Sequence, residues 1–248
     1  MVSIRNITKI YAKQTVKAVD NLSLEIGGGI IFGFLGPNGA GKTTTLKMLT
    51  GILPFTIGEI LIDGVDIRRN PIEAKRKIGF VPDNHAVYDK LTGRQYINFM
   101  SDIYNVPALE RKERADALLE RLHLAKDADA QISSYSHGMK QKICVIGALI
   151  HNPSLWVLDE PLTGLDPQSS FELKQMMREH ADAGNTVLFS THVLEVAEKI
   201  CDRVGIIDKG ILVGAGSLAE IGGSLERFFL DKTTDAAEAA ASPKATVS

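Results

Sequence analysis

The chain has 248 residues, 44% of them hydrophobic and 23% charged, with a formal net charge of -2. That length fits one large domain or two small ones and can bury a core without covalent staples. The composition excludes a wholly disordered chain and a fibrous repeat, and two cysteines, Cys144 and Cys201, are too few for a disulfide scaffold. Neither has a Cys or His at ligand spacing, so both are expected to be buried, reduced thiols. The charge balance demands no nucleic-acid-binding face. A membrane span needs ~20 apolar residues, and the longest apolar stretch, ICVIGALI at 143–150, is far shorter and contains a glycine. The start, MVSIRNITKIYAK, lacks the hydrophobic core of a signal peptide. The expectation is a soluble chain on the cytoplasmic side that reaches a membrane only through a partner.

The first 65 residues read as strands and turns. NLSLEI at 21–26 alternates like a half-buried strand, and Gly27–Gly29 marks a turn. IIFGFL at 30–35 is nearly all apolar, as in a parallel strand buried on both faces. GEILIDG at 58–64 is a short strand bracketed by glycines. From about Leu91 to Ile150 the pattern is helical. Ala115, Leu118, Leu119 and Leu122 fall at helical spacing, and Glu110 precedes Arg114 by one turn. The charges of this helix read as a solvated face. After Pro153 strands and helices alternate. LWVL at 155–158, TVLFS at 186–190 and VGIID at 204–208 are strands, then 211–213 after a Lys209-Gly210 turn. The helix 167–183 has Asp166 before it, Pro167 in its first turn and Gly184 past its end. This order predicts an α/β fold with a mainly parallel sheet covered on both faces. The stretch 231–248, rich in Ala, Thr, Ser and Asp, offers little to bury and is expected to be disordered.

Between the strand 30–35 and a helix expected from Lys42 lies GPNGAGKT, Gly36–Thr43. Glycines let backbone N–H groups turn inward around phosphate oxygens, and a helix N-terminus adds partial positive charge. Lys42 can reach the β- and γ-phosphates, and the Thr43 hydroxyl suits a hard cation such as Mg²⁺. A glycine-rich turn without a ligand is the bland alternative. The strand–loop–helix context argues against it.

The strand 155–158 ends in Asp159-Glu160. Ligands of open α/β sheets bind at carboxyl ends of strands. There Asp159 is placed to hold Mg²⁺, and Glu160 to polarise an attacking water as general base. Two acids after an apolar strand also occur at ordinary turns, so this signal gains its weight beside the phosphate loop.

YSHGMKQK, Tyr135–Lys142, then places a small hydroxyl residue, Ser136, as cap of a helix beginning near His137. With this third element the chain resembles the nucleotide-binding subunit of ATP-binding cassette (ABC) transporters, over about residues 1–230. YSHGMKQK occupies the place of the family signature LSGGQ. Ser136 and Gly138 match it, while Tyr135, His137 and Met139 depart from it as in the drug- and antibiotic-export branch, which SLERFFL at 224–230 also resembles. The resemblance implies a phosphate-loop NTPase core with an N-terminal antiparallel β-subdomain and an inserted α-helical subdomain at about 86–150. It implies ATP and Mg²⁺ as cofactors.

By the same resemblance Glu160 and the switch histidine His192 are catalytic. Tyr11 stacks on adenine. Gly36, Pro37, Asn38, Gly39, Ala40, Gly41, Lys42, Thr43 and Thr44 hold the phosphates. Ser136, Gly138 and Asp166 close the site, the last in the Gly164-Leu165-Asp166 loop of the dimer interface. Thr43, Asp83 and Asp159 hold the metal. Asp83 stands where the family has Gln, which adds a negative charge near the γ-phosphate.

The implied mechanism packs two cassettes head to tail, as homodimer or heterodimer, with ATP between the phosphate loop of one and the signature of the other. Hydrolysis opens the dimer and moves a polytopic permease docked near Val87, Tyr88 and Leu91; no nucleic-acid partner is expected. A soluble cassette acting on ribosomes or DNA is a competing reading, weakened by the single cassette and the lack of a coiled-coil insertion. A regulatory or immunity protein that moves no substrate is another.

Overall fold

The computed structural model describes residues 1–12, 16–84, 87–221 and 224–241, with 235–241 described by backbone only. Strands β1 (Val2–Ile10), β2 (Lys17–Ile26), β4 (Ile57–Ile62) and β5 (Val65–Asp66) form an antiparallel sheet in the order β2-β1-β4-β5. The second sheet contains β3 (Ile30–Leu35), β6 (Ile78–Val81), β7 (Leu155–Asp159), β8 (Thr186–Thr191), β9 (Arg203–Asp208) and β10 (Ile211–Ser217). Its order is β10-β9-β3-β8-β7-β6, parallel throughout except for β10.

Side chains alternate across a strand, so each central strand serves two cores. Phe32, Phe34, Leu155, Val157 and Leu188 face one layer, made by the antiparallel sheet and α1 (Lys42–Leu49). Ile31, Leu35, Trp156, Leu158, Val187 and Phe189 face the other layer. That layer holds α5 (His137–Leu149) and α6 (Pro167–Asp182). Burial on both faces is why these strands carry almost no polar residue. Each such side chain contributes roughly 1.5–3 kcal/mol relative to exposure.

Between β6 and β7 the chain leaves the sheet to form α3 (Gly93–Ile103), α4 (Ala108–Arg121), two short 3-10 turns and α5. Thr92 caps α3 through a capping box with Gln95. In α4 the buried residues are Ala115 and Leu119, while Glu110 and Arg114 pair across one turn and Arg114 also donates to the Ile150 carbonyl at 3.1 Å. Short helices α2 (Pro71–Arg76), α7 (Leu194–Ile200) and α8 (Leu218–Ile221) complete the connections. Both cysteines are free and buried, and burial pushes the Cys144 thiol up to about 12.

The carboxyl-terminal segment departs from the sequence reading. A helix, α9, runs from Leu225 to Ala241, through residues expected to be disordered from Asp231. Leu225 is fully buried and its N–H donates to Glu198 Oε1 at 3.1 Å, and Phe228 and Phe229 pack on the core. A helix nucleated by that docking propagates into an alanine-rich sequence of high helix propensity. Residues 242–248 of the same stretch lie outside the described residues.

Candidate nucleotide site

Parallel pairing brings the carboxyl ends of β3, β6, β7 and β8 to one edge of the sheet. The loop 36–41, Asp83, Asp159-Glu160 and His192 follow those four strands in turn. A cleft of about 240 Å³ at this edge is lined by Pro37, Asn38, Gly39, Gly41, Lys42, Thr43, Thr44, Asp83 and Glu160, with Ala18 of β2 as an added wall.

The loop owes its shape to glycine. Gly41, the N-cap of α1, has φ 109°, and a Cβ there would come 2.8 Å from the Ala18 carbonyl oxygen. A Cβ on Gly36, which is buried beneath the loop, would collide with the Ile207 carbonyl. Ala40, also buried, accepts from the Gly210 N–H at 2.8 Å, and the Gly210 carbonyl accepts from Asp20 N–H at 2.8 Å. The turn between β9 and β10 thereby ties the loop to β2. Gly41, as a glycine, supplies no side-chain cap to the first-turn N–H groups of α1.

Lys42 is 6% exposed. Its ammonium donates to the Gly36 carbonyl at 2.7 Å and the Pro37 carbonyl at 3.3 Å, and lies 3.5 Å from Glu160 Oε1. The same carboxylate oxygen is 3.1 Å from His192 Nδ1. Glu160 therefore stands between a cation and an imidazole at the mouth of the loop. Asp159 is 1% exposed; one oxygen accepts from the Ser190 hydroxyl at 2.6 Å, and the other, Oδ2, is buried with no hydrogen-bond partner among the described residues. Tyr11 lies beside the cleft, 37% exposed, with its hydroxyl 3.2 Å from Thr44 Oγ1.

Ser136, Gly138 and Asp166 do not line this cleft. They gather at a second locus. The Ser136 hydroxyl caps α5 by accepting from Met139 N–H at 3.3 Å. A Cβ on Gly138 would meet the Gly164 carbonyl at 3.7 Å, and one on Gly164 would lie 3.0 Å from the His137 ring. Asp166 caps α6 by accepting from Ser169 N–H at 2.9 Å. The Ser169 hydroxyl, which also donates to it, holds its carboxyl below the usual range. Lys142 Nζ is 3.8 Å from Asp166 Oδ2.

Sequence reading overlooked three residues. Ala18 gives no chemical signal. Ser190 is a hydroxyl in an apolar strand beside the one ending in two acids, and strand adjacency is the signal that finds it. Gln141 is fully buried in α5, and its amide donates to the Pro161 carbonyl just after Glu160. Among the described residues no cluster of three or more His, Cys, Asp or Glu side chains has metal-holding geometry.

A buried strand, a glycine loop and a helix at the edge of a parallel sheet place the protein in the class of phosphate-loop nucleotide hydrolases. Within that class the chain belongs to the ABC transporter family, whose model matches residues 19–163. The linearmycin resistance ATP-binding protein LnrL of Bacillus subtilis is 38% identical over 221 residues, 89% of this chain and 70% of that protein. Among solved structures, an ATP-binding subunit of an ABC transporter superposes with a TM-score of 0.89 at 28% identity, covering 94% of this chain and 99% of that one. The dimeric cassette MJ0796, in a post-hydrolysis state bound to ADP and Pi, gives 0.80 at 26% identity, covering 88% and 99%. The protein is thus an ABC ATPase, the ATP-binding subunit of a transporter.

Proposed function

We propose that this ATPase drives an exporter from the cytoplasmic face of the cell membrane, by closing head to tail on a second cassette. The observation that carries the reading is the division of the site. The phosphate loop with Lys42, Glu160 and His192 forms one half, and Ser136, Gly138 and Asp166 form a separate locus. A second chain is needed to bring the two halves together, and the dimeric state of MJ0796 supports that arrangement. Export is supported by the drug-resistance name of LnrL.

In this reading the loop amides and Lys42 bind the phosphates, and Tyr11 stacks on the base. Glu160 accepts a proton from the attacking water at a carboxylate oxygen. His192 orients that carboxylate through the 3.1 Å contact at Oε1. The oxygen donors Thr43, Asp83 and Asp159 fit Mg²⁺, because a hard cation prefers oxygen and the buried Asp159 Oδ2 has no hydrogen-bond partner among the described residues. When bound, the cation neutralises phosphate charge. Asp83 is a carboxylate on the cleft wall, so the site carries one more acid than Glu160 and Asp159 supply.

The permease would dock beside Asp83. A groove of about 240 Å³ is lined by Ile52, Lys75, Phe80, Met100 and Tyr104 among others, with Phe80 on the strand that leads to Asp83. Tyr88 is 59% exposed with its edge against Phe99, whereas Val87 and Leu91 pack against the core. Tyr88 is the one of the three available to a partner.

Affinity capture of the tagged chain tests the reading, with solubilised membranes and cytosol processed apart. Near-equal recovery of a polytopic membrane protein is the expected result. Recovery from cytosol alone, with ribosomes, DNA or nothing, overturns the transport assignment.

A further inference from the structure

The acid that ends β7 and the acid that follows it are held by one hydroxyl. Ser190 is fully buried in β8 and lies opposite Asp159 in the parallel register. Its Oγ donates to Asp159 Oδ1 at 2.6 Å and accepts from the Glu160 backbone N–H at 3.1 Å. A serine hydroxyl has one proton and two acceptor lone pairs. The backbone N–H can only donate, so the single hydroxyl proton goes to Asp159, whose Oδ1 must accept it. That bond fixes the carboxylate and leaves the buried, unpartnered Oδ2 as its remaining donor oxygen. The other bond pins the main chain where Glu160 adopts φ 49°, a conformation costly for a residue with a Cβ and maintained only by its surroundings. From that backbone the Glu160 carboxylate reaches Lys42 at 3.5 Å and His192 at 3.1 Å.

We propose that Ser190 is a positioning residue for ATP hydrolysis, orienting Asp159 for its cation and Glu160 for its water at once. The inference rests on the roles given above to Glu160 and Asp159. A serine that merely fills the core would affect stability alone. The two bonds instead join it to both acids, and side chains that orient metal ligands typically affect metal affinity or activity by about 10–100-fold.

The test compares Ser190→Ala and Ser190→Thr with the wild type in the full chain. Turnover and KM for ATP are measured, together with the affinity for a non-hydrolysable ATP analogue with Mg²⁺ and with EDTA. For Ser190→Ala the expected results are a kcat lower by about 10–100-fold and a Mg²⁺-dependent gain in analogue affinity reduced about tenfold, with KM for ATP raised to match. Ser190→Thr keeps the hydroxyl and is expected to restore both quantities; any overpacking by its methyl is read separately as a change in Tm. Wild-type turnover and an unchanged Mg²⁺ gain in Ser190→Ala overturn the inference. So does an equal loss in both variants that tracks Tm. If Ser190→Ala lacks a cooperative melt, Ser190→Cys, of similar size and with a poor donor, replaces it under the same expectations. Glu160→Gln in the same assay separates the two levels. Slow turnover there with normal Ser190→Ala sinks only the positioning role, whereas wild-type turnover there overturns the base assignment itself.

Discussion

At the residue scale, the chemistry concentrates on a few side chains whose surroundings are now explicit. Glu160 is the proposed base. Glu160→Gln is expected to keep nucleotide binding and to slow hydrolysis by about 10²–10⁴-fold, checked by steady-state ATPase assay beside a binding isotherm. Lys42 spans the loop carbonyls and Glu160. Lys42→Ala is expected to abolish tight ATP binding, and titration with a fluorescent nucleotide reads this directly; wild-type affinity would remove Lys42 from the phosphate site. These residues were legible because GPNGAGKT and the acids after LWVL join residue type to local context. Ser190 was not, because its meaning comes from a neighbour 31 positions away in sequence.

At the element scale, caps shape the proposed second half of the site. Ser136→Ala removes the side-chain acceptor of α5 and is expected to lower stability by about 1 kcal/mol, measured by chemical denaturation. The α6 cap brings a pH dependence. Asp166 has a carboxyl held below its ordinary value by the Ser169 hydroxyl and amide. A folded pKa below the unfolded one means a stabilising contribution present above the unfolded value. It is lost as pH falls through the folded value. The first turn of α6 is therefore expected to exchange amide hydrogens faster below the ordinary carboxylate range, and Asp166→Asn should flatten that response. The start of α6 was readable from Asp166, with Pro167 in the first turn and Gly184 past the end, and that of α5 from the small hydroxyl residue Ser136 before His137. The length of α9 was not, because an alanine-rich segment helices or not according to what anchors its start, and Leu225 is anchored by contacts distant in sequence.

At the scale of the whole molecule, the cleft and the signature locus of one chain remain separate, and function is expected to follow association. Glu160→Gln with ATP should sediment as a dimer and with ADP as a monomer. Adding Ser136→Arg should prevent the dimer while leaving ATP binding to the monomer intact, as analytical ultracentrifugation and nucleotide titration will read. A monomer under all conditions argues against the head-to-tail clamp.

Elements with local signals are legible in the amino-acid order alone. Apolar runs marked strands buried on both faces, glycine spacing marked the phosphate loop, and polar caps marked helix starts. The order of these motifs pointed to the family. Tertiary structure alone decided what depends on strand adjacency. The order β10-β9-β3-β8-β7-β6 puts Ser190 beside Asp159 and His192 beside Glu160. It also joins the Gly210 turn to the loop. Periodicity fixes which face of a strand is buried. It carries no information on which strand comes to lie alongside, since burial on both faces makes the central strands alike in pattern. Hydrogen-bonded register, formed only when the sheet assembles, makes that choice.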